Sequence, residues 1–289
     1  MSRAFAPAKI NLYLHVTGRR DDGYHLLDSL IVFADVEDII EVEESRHLSL
    51  EIDGPFSNDL STGEDNLVIR AARLLADSTG MEPRAAIRLT KNLPVASGIG
   101  GGSADAAATL KALMDHWHLS IPEDALQRMA LTLGADVPVC LAGNPSYIGG
   151  IGEDIDAAPN LPPAWLMLVN PGVAVSTPTI FNALTANFSE EARLGTVSGS
   201  AQELARALTS RHNDLTGPAI ALEPVIEDVL AALDGCDGVL LSRLSGSGAT
   251  CFGLFADEDQ AGAGAEQIRR RHPNWWVQPT RILEPGTAP

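Results

Sequence analysis

Pro94-Val95-Ala96-Ser97-Gly98-Ile99-Gly100-Gly101-Gly102-Ser103-Ala104 is the stretch on which the reading of this chain turns. It sets glycines at 98, 100, 101 and 102 in a turn that runs straight into an Ala-rich helical pattern over about 104–117. Glycines let an anion approach the backbone, and the first N–H groups of a helix lack partners within it. The helix dipole adds positive potential at the same end. The segment therefore reads as a phosphate cradle, with Ser103 placed either to cap the helix or to hydrogen-bond a phosphate oxygen. A merely flexible turn does not need four glycines in five residues. The chain contains no GxxxxGK[ST], and serine at 103 breaks GxGxxG, so ordinary P-loop and dinucleotide-binding readings lose their support.

Upstream of this turn the chain looks mainly like strands. Ile10, Leu12, Leu14 and Val16 alternate with Asn11, Tyr13 and His15, the period-2 pattern of a half-buried strand. Further strands are expected within 29–43, over 47–53 and over 85–91, with a helix over 66–78. Downstream, Leu110, Leu113, Met114 and Trp117 make an apolar helical stripe, and a second helix over 123–133 ends at Gly134. A short third helix follows Asp136. The proline-rich stretch over 159–163 is the candidate linker. Beyond it come a strand over 166–170 and helices around 179–186, 201–209 and 218–233. Strands over 239–244 and 251–255 flank a second glycine turn, Ser245-Gly-Ser-Gly248, before a helix over 259–271 and a strand over 275–278. This order predicts an α+β protein of two lobes, 1–160 and 161–289.

Composition narrows the function classes. Twenty basic residues stand against 38 acidic ones in 289, a net charge of −18, which repels nucleic acid and anionic lipid. A small anionic substrate remains compatible, because one cationic pocket can sit in an acidic surface. No apolar run reaches the length of a membrane helix, and Lys9 and Asn11 interrupt what would be a signal sequence. Cys140, Cys236 and Cys251 form no CxxC pair and read as reduced core thiols. The expectation is a soluble cytoplasmic protein without nucleic-acid or membrane partners.

Individual residues are more ambiguous. Lys9, among apolar neighbours, is either a snorkelling edge residue or an active-site cation. Asp136 precedes a proline-containing first turn, and periodicity alone favours a helix cap there. Tyr24-His25 follows a polar loop and suits either stacking on a base or a half-buried loop position. His116 and His118 do not share a helical face and make a poor metal pair. Neither HExxH nor GxSxG occurs, which removes zincin and common serine hydrolase readings.

Three pieces together, Pro7-Ala-Lys-Ile-Asn11, Leu93-Pro-Val-Ala-Ser-Gly-Ile-Gly-Gly-Gly-Ser-Ala-Asp105 and Leu244-Ser-Gly-Ser-Gly-Ala249, resemble the three motifs of the GHMP kinase superfamily in order and spacing. Arg19-Arg-Asp-Asp-Gly-Tyr-His25, Leu131-Thr-Leu-Gly-Ala-Asp-Val-Pro138, Asn170-Pro-Gly-Val173 and Ser176-Thr-Pro-Thr-Ile-Phe181 further resemble its members that act on a cytidine diphosphate-linked methylerythritol. The resemblance spans nearly the whole chain. It implies a lobe like the second domain of ribosomal protein S5, a C-terminal α+β lobe, and a cleft between them. It also implies ATP-dependent phosphorylation of the erythritol 2-hydroxyl, with Mg²⁺ bridging phosphates and no protein ligand to the metal identifiable.

By the same resemblance, Asp136 takes the hydroxyl proton and Lys9 holds that aspartate. Residues 94–104 are the ATP loop, with Asn66 and Lys91 in the nucleotide pocket and Gly246 and Gly248 in a second glycine turn beside the site. Tyr24 and Phe181 sandwich the cytosine, and Asn11, His25 and Thr177 contact the substrate. A sister enzyme for homoserine or mevalonate would have no use for the base-stacking positions. A non-catalytic nucleotide sensor would need neither Lys9 nor Asp136, and an acidic interaction protein leaves the glycine loop unexplained.

Overall fold

The computed structural model describes residues 1–58, 60–185, 187–197 and 199–286. Its spine is a long antiparallel ribbon of β1 (Ser2–Arg19) and β2 (His25–Glu43). Residues 29–43 are thus part of one continuous strand. Register shifts between Pro7 and Ala8, Asn11 and Tyr13, and Val16 and Gly18 bend the ribbon and re-aim its side chains. In chain order there follow β3 (Ser49–Asp53), α1 (Leu67–Thr79), β4 (Ala86–Thr90), α2 (Gly101–His116), α3 (Glu123–Leu133), α4 (Val137–Ala142), β5 (Ser146–Gly149) and β6 (Asp154–Ala157). The remainder comprises β7 (Trp165–Asn170), α5 (Thr177–Asn182), α6 (Ala201–Leu208), α7 (Thr216–Leu222), α8 (Val225–Asp234), β8 (Leu241–Leu244), β9 (Cys251–Phe255), α9 (Glu258–Arg271) and β10 (Trp276–Arg281).

Two sheets result. The first has the order β3-β4-β2-β5-β6, with β1 on the remaining edge of β2; only β3 and β4 pair in parallel. The second, β10-β7-β9-β8, is antiparallel throughout. Residues 158–164, which carry no strand or helix, lead from one sheet to the other.

Three cores stack these sheets into layers. Ile31, Phe33 and Ile40 pack on the apolar faces of α1 and α2. Ile10, Leu12, Leu30 and Val32 meet Leu166, Leu168, Phe252 and Leu254 between the sheets. Met167, Val169 and Phe255 face α8 and α9. The alternating pattern of β1 predicted one solvated face, yet Asn11, Tyr13 and His15 are all 3% exposed or less. The far lobe covers that face. Its polar groups find partners instead of water: the Tyr13 hydroxyl donates to Asp28 Oδ1 at 3.0 Å, and His15 Nδ1 to Glu190 O at 3.0 Å.

Other differences have local causes. The helix expected over 218–233 is two, α7 and α8, separated at Glu223 and Pro224, because proline offers no N–H to the preceding turn. α5 begins earlier than expected and ends at Asn182; Ala186 lies outside the described residues. Gly134 closes α3 at φ 165°, in extended rather than left-handed backbone.

Candidate active site

α2 starts at Gly101, inside the glycine run, and its N-cap is Gly100 at φ +67° with no side-chain cap bond. Ser103 is therefore the third helical residue, and its capping role falls away; it lines a cleft of about 890 Å³. The loop before it is tied down through its own carbonyls. Lys9 N donates to Ile99 O at 2.9 Å and Thr250 N to Ser97 O at 3.1 Å, while Ser245 Oγ donates to Gly98 O at 3.1 Å. A Cβ at Gly98 would stand 2.4 Å from Ser245 O, and one at Gly246 would stand 2.7 Å from Gly98 O. The two glycine turns thus pack backbone against backbone, which only glycine permits.

Within the loop over 94–104, nine of the eleven residues line the cleft. Pro94, Val95, Ala96, Ser97 and Gly98 line the cleft, as do Gly100 to Ser103. Ile99 and Ala104 turn away: Ile99 enters the core between the sheets, and Ala104 the core under α2. They anchor the loop.

Lys9 arrives on β1 and Asp136 at the start of α4. Lys9 Nζ donates to Asp136 Oδ2 at 2.8 Å, with the lysine side chain 6% and the aspartate side chain 44% exposed. Periodicity favoured Asp136 as a cap, but its carboxylate makes no cap bond and its backbone is already helical, at φ −85° and ψ −12°. The physical reason lies two residues on. A capping oxygen accepts from the second or third helical N–H, and the second helical residue is Pro138, which has none; the helical φ/ψ of Asp136, unlike the extended backbone of a capping residue, leaves the third, Val139 N, uncapped as well. The carboxylate turns to Lys9 instead. One oxygen is held by the ammonium and the other stays open to the cleft, free to accept a proton.

Aromatic and polar groups line the same cleft. The His25 and Phe181 rings lie 5.3 Å apart at 31°, and Tyr24 is 60% exposed at the rim. Burial, with the Arg19 charge added, holds the His25 imidazole below its ordinary pKa. Thr177, at the head of α5, shares a 2.7 Å hydrogen bond with Ser247 of the second glycine turn. Asn11 lines the same cleft, buried.

Lys91 and Asn66 also reach the cleft, but their polar groups are engaged structurally. Asn66 Oδ1 accepts from Val68 N at 2.8 Å, capping α1, while Nδ2 donates to Ser61 O at 2.7 Å. Lys91 Nζ is buried between Asp38 and Asp105 Oδ2, the latter at 2.7 Å. Burial works against the ammonium, but Asp105 and Asp38 outweigh it and hold its pKa above the ordinary lysine value. For Asp105 burial dominates, reinforced by Asp38, so its carboxyl is raised to about 7 despite Lys91.

Sequence reading assigned no role to Asp38 or Asn213. Asn213 Nδ2 donates to Leu244 O at 2.9 Å and Gly246 O at 2.8 Å, fixing the second glycine turn. Neither sits in a motif that would have marked it. Asp105 closes the glycine motif, yet nothing in its spacing announced a partner in Lys91.

Comparison with known proteins agrees with this architecture. A family model for the GHMP kinases N terminal domain matches residues 66–144, and one for GHMP kinases C terminal matches 191–274. A homoserine kinase structure from Cytophaga hutchinsonii shares the fold, with TM-score 0.75 at 19% identity over 99% of this chain and 96% of that one. Fold and cleft define a GHMP kinase. A crystal structure of 4-(cytidine 5'-diphospho)-2C-methyl-D-erythritol kinase matches with TM-score 0.79 and 33% identity, over 97% of this chain and 98% of that one. Two enzymes called 4-diphosphocytidyl-2-C-methyl-D-erythritol kinase, from Paramagnetospirillum magneticum and Rhodospirillum rubrum, are 56% and 50% identical over 96% of this chain, and 97% and 91% of their own lengths are covered. The chain belongs to the 4-diphosphocytidyl-2-C-methyl-D-erythritol kinase family.

Proposed function

We propose that this protein transfers the γ-phosphoryl group of ATP to the 2-hydroxyl of 4-diphosphocytidyl-2-C-methyl-D-erythritol, giving the 2-phosphate and ADP in the non-mevalonate route to isoprenoid precursors. The observation that carries the reading is the Lys9–Asp136 pair, 2.8 Å apart, in the same cleft as the glycine loop. The open oxygen of Asp136 takes the hydroxyl proton as the substrate oxygen attacks the γ-phosphorus. The bond from that phosphorus to the β-phosphate oxygen breaks, ADP leaves, and the proton passes on to water. Such a transfer depends chiefly on alignment and on cancelling charge on the moving group.

The chain's own residues supply both. Free N–H groups at the head of α2 face the phosphates, with Gly98 and Gly100 to Ser103 allowing close approach. Lys9 holds Asp136 in place and adds positive charge beside the reacting oxygen. Tyr24 and Phe181 flank the cytosine, while His25, Asn11 and Thr177 contact the rest of the substrate. Mg²⁺ neutralises phosphate charge when bound. Among the described residues no group of three or more acidic, histidine or cysteine side chains could hold it alone. The Ser103 hydroxyl, which lines the cleft at the head of α2, would be a protein oxygen available to hold the ion.

The change of sheet across 158–164 supports a lobe division at 160/161. Three buried free thiols support a reducing, cytoplasmic setting. Among the described residues no helix is long and apolar enough to cross a membrane. ADP release with ATP, Mg²⁺ and the cytidyl substrate, against mevalonate and homoserine, tests the reading. Turnover with the cytidyl substrate alone is the expected result. Silence with all three, with ATP still bound, would replace the kinase by a nucleotide sensor.

A further inference from the structure

Asn11 presents an unusual combination: it is 3% exposed, lines the cleft, and its Oδ1 is buried without a hydrogen-bond partner. Its other amide atom is not free. Asn11 Nδ2 donates to Ser29 Oγ at 2.8 Å, and Ser29 Oγ donates to Tyr13 O at 2.5 Å. A serine hydroxyl carries one hydrogen. Because that hydrogen is committed to the Tyr13 carbonyl, Ser29 can only accept from Asn11. The NH₂ group must therefore face Ser29, and the carbonyl oxygen must face away from it.

The local backbone makes this possible. Asn11 pairs with Ile31 and Tyr13 with Leu30, so Leu12 is an extra residue in β1. Such a bulge bends the strand and redirects its side chains. The Asn11 backbone is also held from the far lobe, since Asn11 N donates to Ser245 Oγ at 3.2 Å and Ser245 belongs to the second glycine turn. A buried acceptor left unpaired is costly, and a donor from a bound substrate removes that cost.

We propose that Ser29 is a positioning residue that fixes the orientation of the Asn11 amide, so that the cleft offers the methylerythritol moiety a hydrogen-bond acceptor and not a donor. This rests on the proposed kinase reading. Ser29 itself need not touch the substrate; it acts through Asn11. A hydroxyl of the polyol is the donor of fitting chemistry, so the chain would discriminate against analogues in which that hydroxyl is replaced by hydrogen or an ether.

The test is a double-mutant cycle of Ser29→Ala and Asn11→Ala, read as kcat/KM for the cytidyl substrate and KM for ATP. Ser29→Ala is expected to lower kcat/KM for the cytidyl substrate roughly tenfold, the size of about one hydrogen bond, with KM for ATP unchanged. In the Asn11→Ala background the same change should have no further effect, and Ser29→Thr should restore most of the loss. Multiplicative losses, or an unaffected Ser29→Ala, would overturn the proposal. A purely structural serine would lower activity in both backgrounds alike. The Asn11 side-chain NH₂ signals in ¹⁵N spectra provide a readout independent of turnover: Ser29→Ala should shift them and speed their exchange, and unchanged signals would refute the clamp. If the wild-type protein fails to turn over the cytidyl substrate, the kinase reading falls, while the spectra still decide whether Ser29 orients Asn11.

Discussion

Gly98→Ala tests whether the two glycine turns act as one rigid cradle. Gly98 sits at φ +76°, where a residue with a Cβ is disfavoured by about 1–2 kcal/mol. The added carbon would also lie 2.4 Å from Ser245 O and 2.6 Å from Gly248 N, both backbone atoms, whereas ordinary contact begins near 3.4 Å. Relief requires the loop over 94–100 and the turn over 245–248 to part by about 1 Å. A displacement of that size in catalytic alignment costs about 100-fold in rate. The expected outcome is kcat/KM lowered about 100-fold. The backbone term alone should lower Tm by roughly 2–8 °C, at about 2–4 °C per kcal/mol for a chain of this size class. Steady-state kinetics and calorimetry on the same preparation measure both. Gly262→Ala is the control: it lies within α9 with nothing within 4 Å of the added carbon, so activity should hold and stability should rise by about 0.5–1 kcal/mol. Near-wild-type kinetics and Tm in Gly98→Ala would refute the argument that backbone contact between the turns sets the site.

Asp136→Asn keeps the shape but not the base; kcat should fall about 10²- to 10⁴-fold while the Kd for ATP stays within about threefold, and near-normal turnover would mean the base is elsewhere. Tyr24→Ala removes one stacking face, worth about 1–3 kcal/mol per base, so KM for the cytidyl substrate should rise roughly 5- to 150-fold with kcat little changed; an unchanged KM would remove the stacking role. His15 is buried, and burial together with the neighbouring His212 holds its pKa below the ordinary 6.5. Below that value the unfolded chain binds a proton that the folded chain resists, so this contribution is present above pH 6.5 and is lost as pH falls through the folded pKa. Tm measured from pH 7.5 to 5 should fall, and less steeply in His15→Gln; an identical slope in both proteins would exclude His15 as the source.

The glycine run and the second glycine turn were legible in the sequence because each depends on local chemistry, whereas Lys9 and Asp136 stood out only through resemblance to the GHMP kinase motifs. Helix starts, close backbone approach and strand alternation are short-range effects written in neighbouring residues. The same local logic misjudged Asp136: periodicity pointed to a cap, whereas the missing N–H of Pro138 and the arrival of Lys9 from 127 positions away turned its carboxylate into the cleft. It also misjudged the polar face of β1, since alternation reports which residues share a face but not what covers that face. Only packing of the far lobe against β1 covered Asn11, Tyr13 and His15, where the Tyr13 hydroxyl and His15 Nδ1 have partners and Asn11 Oδ1 has none. Asp38 with Lys91, and Asn213 with the turn over 245–248, belong to the same class. They are pairs of ordinary-looking residues brought together by the tertiary fold, where low exposure makes an unpaired polar group costly and so makes the pairing obligatory. The sequence determined where the two glycine turns, Lys9 and Asp136 lie along the chain, because local backbone chemistry is written in neighbouring residues; tertiary packing decided how those groups are held and which way they point, because it sets which polar groups lose water.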